Sequence, residues 1–386
     1  MDFCLTDEQQ MYTGMVREFA QKEVLPHVLE YDREERYPLE IVQKMAALGL
    51  LGGVIPEQYG GAGIDYTTLA LGIEEMAKVC IHMGSVMGRA SGLVGSAILK
   101  YGTEEQKQKY LVPLARGERS GGTGVTEPHS GTDVAAMETT VRREGDPYIL
   151  NGCKTWISGV EFASWFLTFA TLDKKAGPKA ICAFIVDRDS PGFSTRPFKN
   201  KVGFRPSSVG ELIFEDCLIP KENLVGKEGE GLRVAMCAVT NGRLSVSARA
   251  VGLSQACLDA SVKFAKERIV FGKPTATYQF VQGKIADMVV GTESARFLLY
   301  RLAFLKDQGV ERARPEAAAA KYYSTEVALR SANDAVQIHG AYGCSEEYPV
   351  GRYFRDAKFL QIVEGHNDLQ KVLIAEYALG YRQDRR

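Results

Sequence analysis

The stretch Gly124-Val125-Thr126-Glu127-Pro128-His129-Ser130-Gly131-Thr132-Asp133-Val134-Ala135-Ala136, with Asn151-Gly152-Cys153-Lys154-Thr155-Trp156-Ile157-Ser158 after it, is the most informative part of the chain. Its first half is rich in turn formers and hydroxyls and offers peptide N–H groups. Its second half reads as a strand that ends on a large ring beside a hydroxyl. Such a pair could cradle an anionic, planar cofactor. On residue type alone, a polar loop followed by a core tryptophan explains the stretch equally well.

Working outward, the surrounding block from about 120 to 225 carries short apolar segments, Trp165–Thr171, Ala180–Val186 and Gly210–Phe214, punctuated by Gly, Pro, Asn and Asp. They predict an antiparallel sheet or small barrel. On both sides the period changes to that of helices. Leu5, Met11, Met15, Val16, Phe19, Ala20 and Val24 recur at helical intervals behind a start capped by Thr6, with Glu8 and Gln9 downstream. Helices continue over Leu39–Leu50, Tyr66–Cys80, Met83–Tyr101 and Thr103–Arg116, around a glycine-rich loop at Gly52–Gly63. Beyond the block, helical spacing returns over Arg243–Arg268, Gln279–Gln308, Pro315–Gly340 and Asn367–Gly380. The order predicts an α+β chain, mainly α: an N-terminal helical domain over 1–119, a middle antiparallel β domain over 120–230 and a C-terminal four-helix bundle over 231–386.

Composition narrows the function classes. The 386 residues are 45% hydrophobic and 25% charged, as in a soluble globular protein. With 47 basic and 48 acidic residues, a net charge of −1 gives no electrostatic reason to expect nucleic acid. The basic tail Arg382 to Arg386 reads as a solvated end. Eight scattered cysteines form no C-x-x-C pair and read as free thiols in a reducing compartment. No apolar run reaches the ~18 residues of a membrane span, and the N-terminus resembles neither a secretory signal nor a transit peptide. A bacterial cytoplasm, or an organelle after processing, is expected. Gly60–Gly63 and Gly226–Gly231 open no βαβ unit, and the chain has no P-loop, H-E-x-x-H or G-x-S-x-G. The five histidines lack ligand spacing, so no metal site is expected.

The chain resembles the acyl-CoA dehydrogenase family along nearly its whole length. Thr126–Asp133 fits T-E-P-x-[AS]-G-[ST]-D and Asn151–Ser158 fits N-G-x-K-x-W-I-[ST]. Arg268–Gly272 fits R-x-x-F-G, and Gln337–Gly343 and Glu364-Gly365 follow in the family's order. In character it is most similar to the branch acting on glutaryl-CoA and on cyclic and aromatic acyl-CoA thioesters. The resemblance implies FAD, with Val125 and Thr126 on the pyrimidine side, Thr132 at the pyrophosphate, Trp156 against the ring, Ser158 near N5 and Gly131 among the cofactor contacts. Arg268, Phe271, Gln279, Gln337 and Gly340 would shape the rest of that site, some across a subunit interface of a homotetramer built as a dimer of dimers. An acyl-CoA is the implied substrate and an electron-transferring flavoprotein the implied electron acceptor.

Glu364 follows the apolar run Phe359–Val363, and Gly365 behind it lets the backbone turn. Read from residues alone it is either a base in a desolvated site or a cap on the next helix. The resemblance makes it the base that takes the α-proton as the β-hydride leaves toward flavin N5. Family members with the base on another helix carry it one residue before the equivalent of Arg243, and that position here is Gly242. Burial is expected to raise its pKa into the working range of a base. The resemblance also puts Arg243 and Gly365 on the substrate side and leaves an acyl-CoA oxidase, an enoyl-CoA reductase or a non-catalytic flavoprotein subunit as alternatives.

Two departures from the family stand out. His366 replaces the usual Thr and is read as a substitution without catalytic effect. Arg89 is the only formal charge between Val79 and Leu99. It either snorkels or pairs with an acid, or meets a carboxylate on the acyl chain. Relatives acting on glutaryl-CoA use an arginine on this helix, but the aligned position is Gly84. Gly84, Gly88, Ser91 and Gly92 are expected to leave room for a bulky or cyclic group, which puts Arg89 and Ser91 among the substrate-binding candidates.

Overall fold

The computed structural model describes residues 4–310 and 312–383. Thr6 starts the first helix as its sequence predicts. Its hydroxyl accepts from the Gln9 N–H at 3.2 Å while the Gln9 side chain accepts from the Thr6 N–H at 3.1 Å, a reciprocal cap. The helices that follow are α1 (Asp7–Phe19), α2 (Val28–Glu34), α3 (Leu39–Ala47), α4 (Tyr66–Val79), α5 (Ile81–Ser91), α6 (Leu93–Tyr101), α7 (Glu104–Gln106) and α8 (Val112–Ala115). The single helix expected over Met83–Tyr101 is therefore two. Gly92 breaks it with φ −97° and ψ −99°, outside the helical region.

Eight strands come next: β1 (Gly121–Gly124), β2 (Thr140–Arg143), β3 (Tyr148–Ser158), β4 (Trp165–Thr171), β5 (Ile181–Asp187), β6 (Phe193–Pro197), β7 (Val209–Ile219) and β8 (Leu224–Val225). They form one sheet in the order β6-β7-β3-β2-β4-β5-β8, with β1 added on β4. The expectation of a purely antiparallel sheet needs correction, because β1 and β2 both run parallel to β4. The long β3–β7 ribbon slips register twice, and the second slip lies between Lys154 and Ile157. β4 is buried on every residue, so the sheet is covered on both faces.

The chain then turns into α9 (Gly231–Glu267), a short ribbon of β9 (Ile269–Val270) and β10 (Lys273–Pro274), and α10 (Gln279–Asp307), α11 (Arg314–His339), α12 (Val350–Ile362) and α13 (Asn367–Ala378). α12 has no counterpart in the sequence reading, although Tyr353, Ala357 and Leu360 line one face of it and are buried. α9 is the axis of the molecule. It contacts α4, α5 and α6 as well as α10, α11 and α12, which explains its small residues. A Cβ on Gly252 would stand 2.3 Å from the Glu74 carbonyl oxygen of α4. One apolar core joins the N-terminal helices to α9 and α10, and a second joins α6 and α8 to the sheet through Tyr110, Trp165 and Phe169. A third lies between α9, α11 and α12. Each fully buried Leu, Ile or Phe contributes roughly 1.5–3 kcal/mol.

Among the described residues no helix is long and apolar enough to cross a membrane. Arg382 pairs with Glu376; the remainder of the basic tail, 384–386, lies outside the described residues.

Candidate active site

Glu364 sits in the turn between α12 and α13 with φ 57°, a left-handed conformation that costs a residue with a side chain of order 1–3 kcal/mol. The surroundings over-determine it. Arg243 Nε donates to the Glu364 carbonyl at 3.2 Å, while Lys321 Nζ and Gln370 Nε2 donate to the Gly365 carbonyl at 3.0 and 2.8 Å. Lys321, fully buried, also donates to the Gln361 carbonyl and to Asn367 Oδ1, both at 2.8 Å. The carboxyl group is thereby laid over Gly242, where a Cβ would lie 2.9 Å from Glu364 Cδ. Burial raises its pKa to about 7 against the opposing charges of Arg249, Arg243 and Lys321. The Glu364 N–H donates to no group among the described residues. The alternative role of capping α13 falls to His366, whose Nδ1 accepts from the Leu369 N–H at 3.4 Å.

The loop after β1 is preformed. The Glu127 carboxylate accepts from Lys154 Nζ at 2.6 Å and from the Thr139 N–H at 3.0 Å, and both charged side chains are buried. The Thr126 carbonyl accepts from the Thr155 N–H at 2.9 Å, and the Ser130 hydroxyl donates to the Asp133 carbonyl. This leaves Val125 and Thr126 half-buried and Gly131 and Thr132 exposed. Trp156 is not a core residue. It lies in the β3 bulge at φ 60° and is 59% exposed, its ring edge-on to Phe198 at 5.1 Å. Ser158 ends the same strand, half-buried. An exposed indole on a strained bulge beside ordered hydroxyls and N–H groups fits a planar, phosphate-bearing cofactor such as FAD.

His366 joins the two halves. Because Nδ1 accepts the α13 cap, Nε2 carries the proton and points it at Thr132 Oγ1, 3.1 Å away. The reading of His366 as an inconsequential substitution thus meets a direct contact with a cofactor-site candidate.

The second set of predicted cofactor residues lies elsewhere. Arg268 stands over the Tyr342 ring at 5.4 Å, Gln279 opens α10, and Gln337 and Gly340 end α11. Phe271 is 92% exposed, as is nearby Phe280. Among the described residues no hydrogen bond, ion pair or ring contact links this set to Trp156 or to the loop of Val125–Thr132.

The substrate-side candidates divide. Arg243 touches the Glu364 turn directly. Ser91 does not reach the site: its hydroxyl accepts from the Val54 N–H at 3.1 Å, in the loop after α3. The glycines expected to leave room are filled by helix packing, since a Cβ on Gly88 would lie 2.4 Å from Ser245 Oγ and one on Gly84 3.1 Å from Arg249 Cγ. Arg89 is half-buried rather than buried, 5.5 Å over the Phe162 ring, with Nη1 3.4 Å from Ser120 Oγ. Sequence reasoning missed Arg249 and Lys321. Arg249 is a lone charge among small residues, the same signal that singled out Arg89, and Lys321 follows a run of four alanines, Ala317 to Ala320.

Family models agree with this layout. The acyl-CoA dehydrogenase N-terminal domain matches residues 6–118, the middle domain 122–217 and the C-terminal domain 229–379. The short-chain specific acyl-CoA dehydrogenase of Clostridium acetobutylicum is 43% identical over 375 residues, covering 97% of this chain and 99% of that relative. A glutaryl-CoA dehydrogenase solved with glutaryl-CoA shares 41% identity at a TM-score of 0.97, over 100% of this chain and 98% of that one. A chain solved in work on the electron transferring flavoprotein of Acidaminococcus fermentans shares 42% identity at a TM-score of 0.96, over 98% and 100%. With three domains matched in order and a carboxylate held where the family's motif ends, the chain belongs to the acyl-CoA dehydrogenase family.

Proposed function

We propose that the protein removes the α-proton of an acyl-CoA thioester with Glu364 and passes the electrons on to an electron-transferring flavoprotein, the acyl group carrying a substituent, a ring or a second carboxylate. The observation that carries this is Glu364 itself: a strained residue whose carboxyl group is desolvated and poised with a pKa of about 7. The free N–H of Glu364 is a donor for the thioester oxygen, on which charge grows as the α-proton leaves. Arg243 and Lys321 fix the turn, so base and donor are oriented before substrate arrives.

The family is FAD-dependent, and bound FAD supplies the hydride acceptor. Thr126 and Val125 would hold its ring edge, Thr132 and Gly131 its pyrophosphate, and Trp156 and Ser158 its face and N5 side. The separate, exposed set of Arg268, Phe271, Gln279, Gln337 and Gly340 would complete the cofactor site of a second copy, within a homotetramer assembled as a dimer of dimers. Bacterial relatives, and described helices none of which could cross a membrane, support a cytoplasmic enzyme.

The test is anaerobic. The purified, yellow holoenzyme is mixed with straight, branched, cyclic and dicarboxylic acyl-CoA thioesters, and bleaching of the flavin is recorded. Bleaching by at least one thioester in the wild type and not in Glu364→Gln supports the assignment; equal bleaching in both moves the base elsewhere.

A further inference from the structure

Arg249 lies seven residues beyond Gly242 on α9, nearly two full turns and so on the same face, about 10 Å along the axis. Its stem packs against Gly84 of α5. Its guanidinium carbon stands 5.7 Å over the Phe204 ring. The residue is 5% exposed, and its Nε donates to the Ser245 carbonyl at 3.3 Å. Among the described residues no carboxylate forms an ion pair with it, and the acid whose charge it feels is Glu364. Burying a guanidinium without an anion is costly.

A second orphan stands beside it. His82 of α5 is 1% exposed, and neither ring nitrogen has a hydrogen-bond partner. Its ring is edge-on to Phe204 at 5.2 Å and to Tyr37 at 5.4 Å, and Tyr37 stacks on Phe162 at 3.6 Å. Arg89 lies over the Phe162 ring at 5.5 Å. Lys201, whose charge also reaches His82, is already neutralised by Glu35 at 3.1 Å. The neighbourhood thus holds two arginines without a carboxylate partner, a buried imidazole with both nitrogens idle and a row of aromatic faces.

We propose that Arg249 binds a carboxylate carried on the acyl chain, with His82 donating a second hydrogen bond and the Tyr37–Phe162 wall packing against a ring or branch. The substrate is then a CoA thioester of a substituted dicarboxylic acid. Guanidinium suits this task because its fork matches a carboxylate. Burial and the nearby charges of Arg89, Arg249 and Lys201 hold His82 neutral, which leaves it one N–H to give. The proposal rests on the dehydrogenase reading and names its substrate class.

The test compares wild type with Arg249→Met and Arg249→Gln, as flavin-replete holoenzymes, on glutaryl-CoA, methylsuccinyl-CoA and benzylsuccinyl-CoA against butyryl-CoA and pentanoyl-CoA. Any general effect of the lost charge on Glu364 cancels in the ratio of kcat/KM between the two classes. That ratio should fall about 10- to 100-fold in the variants, mostly through KM of the dicarboxylic thioesters, as expected for a charged hydrogen bond. In wild type, glutaconyl-CoA should perturb the flavin spectrum at lower concentration than crotonyl-CoA, a readout that holds even if neither variant folds. An unchanged ratio, or equal binding of the two enoyl thioesters, returns Arg249 to tuning the base. Bleaching by monocarboxylic thioesters alone overturns this substrate class and leaves the dehydrogenase intact, whereas no bleaching by any thioester overturns both.

Discussion

Gly242→Ala tests the base through geometry rather than by deleting it. The added methyl would lie 2.9 Å from Glu364 Cδ and Oε2 and 3.0 Å from Oε1. Carbon contacts are comfortable at about 3.5–4.0 Å, so the carboxyl group must retreat by roughly 0.6–1 Å. A reacting group displaced by about 1 Å loses on the order of 10²-fold. The fold itself gains, because alanine in a helix interior is worth up to about 1 kcal/mol over glycine. The expected result in anaerobic stopped flow, with saturating thioester and full flavin occupancy, is a flavin-reduction rate 10- to 100-fold slower than wild type. The melting temperature should be equal or higher. A rate within twofold of wild type would refute the reasoning, since the carboxylate above Gly242 could then move without consequence.

The pKa of Glu364 gives a second expectation. Raised to about 7, the folded protein holds a proton that the unfolded chain releases near 4.5, so stability falls as pH rises through that window. Glu364→Gln should therefore match wild-type stability at pH 4.5 and exceed it at pH 8 by up to about 3 kcal/mol in denaturant melts, while wild-type kcat/KM rises with pH through about 7; a pH-independent stability difference would contradict this. His366→Ala removes both the α13 cap and the bond to Thr132 Oγ1, and should cost about 1 kcal/mol of stability and several-fold in flavin retention on dialysis; flavin held as in wild type would leave His366 as a cap alone. Phe280→Glu, on the exposed face opening α10, should lower the mass in sedimentation and release flavin with it; an unchanged mass at micromolar concentration would remove this face from the assembly.

What the sequence made legible was local. The cap at Thr6 and the bounds of β4 come from neighbours within a few residues, and Glu364 declared itself as a lone acid after an apolar run. What stayed hidden depends on partners far along the chain. α12 escaped notice because its buried face, packed with α9 and α11, is narrow among charged residues, and the split at Gly92 is a backbone break that no periodicity announces. Arg89 and Arg249 carry the same sequence signal, a lone arginine among small residues. Only the crossing of α5 and α9 makes one of them half-buried over Phe162 and the other buried without an acid. Ser91 shows the same dependence on distant partners: a small residue on a helix does not announce that its hydroxyl will accept from the Val54 N–H of a loop far back in the chain.

The closeness of Gly242 to Glu364 also constrains how such an enzyme can evolve. The space between them admits one acidic side chain, so a lineage moving its base to the α9 position has no comfortable single step. Gaining an acid at Gly242 first would force two carboxyl groups into one desolvated space, where each opposes the ionisation of the other. Losing Glu364 first would leave no base at all. Once both changes are made, position 364 is free to take glycine, which adopts its left-handed backbone without strain. The two placements are separated by a valley in fitness that must be crossed by paired substitutions, and each, once reached, tends to be kept.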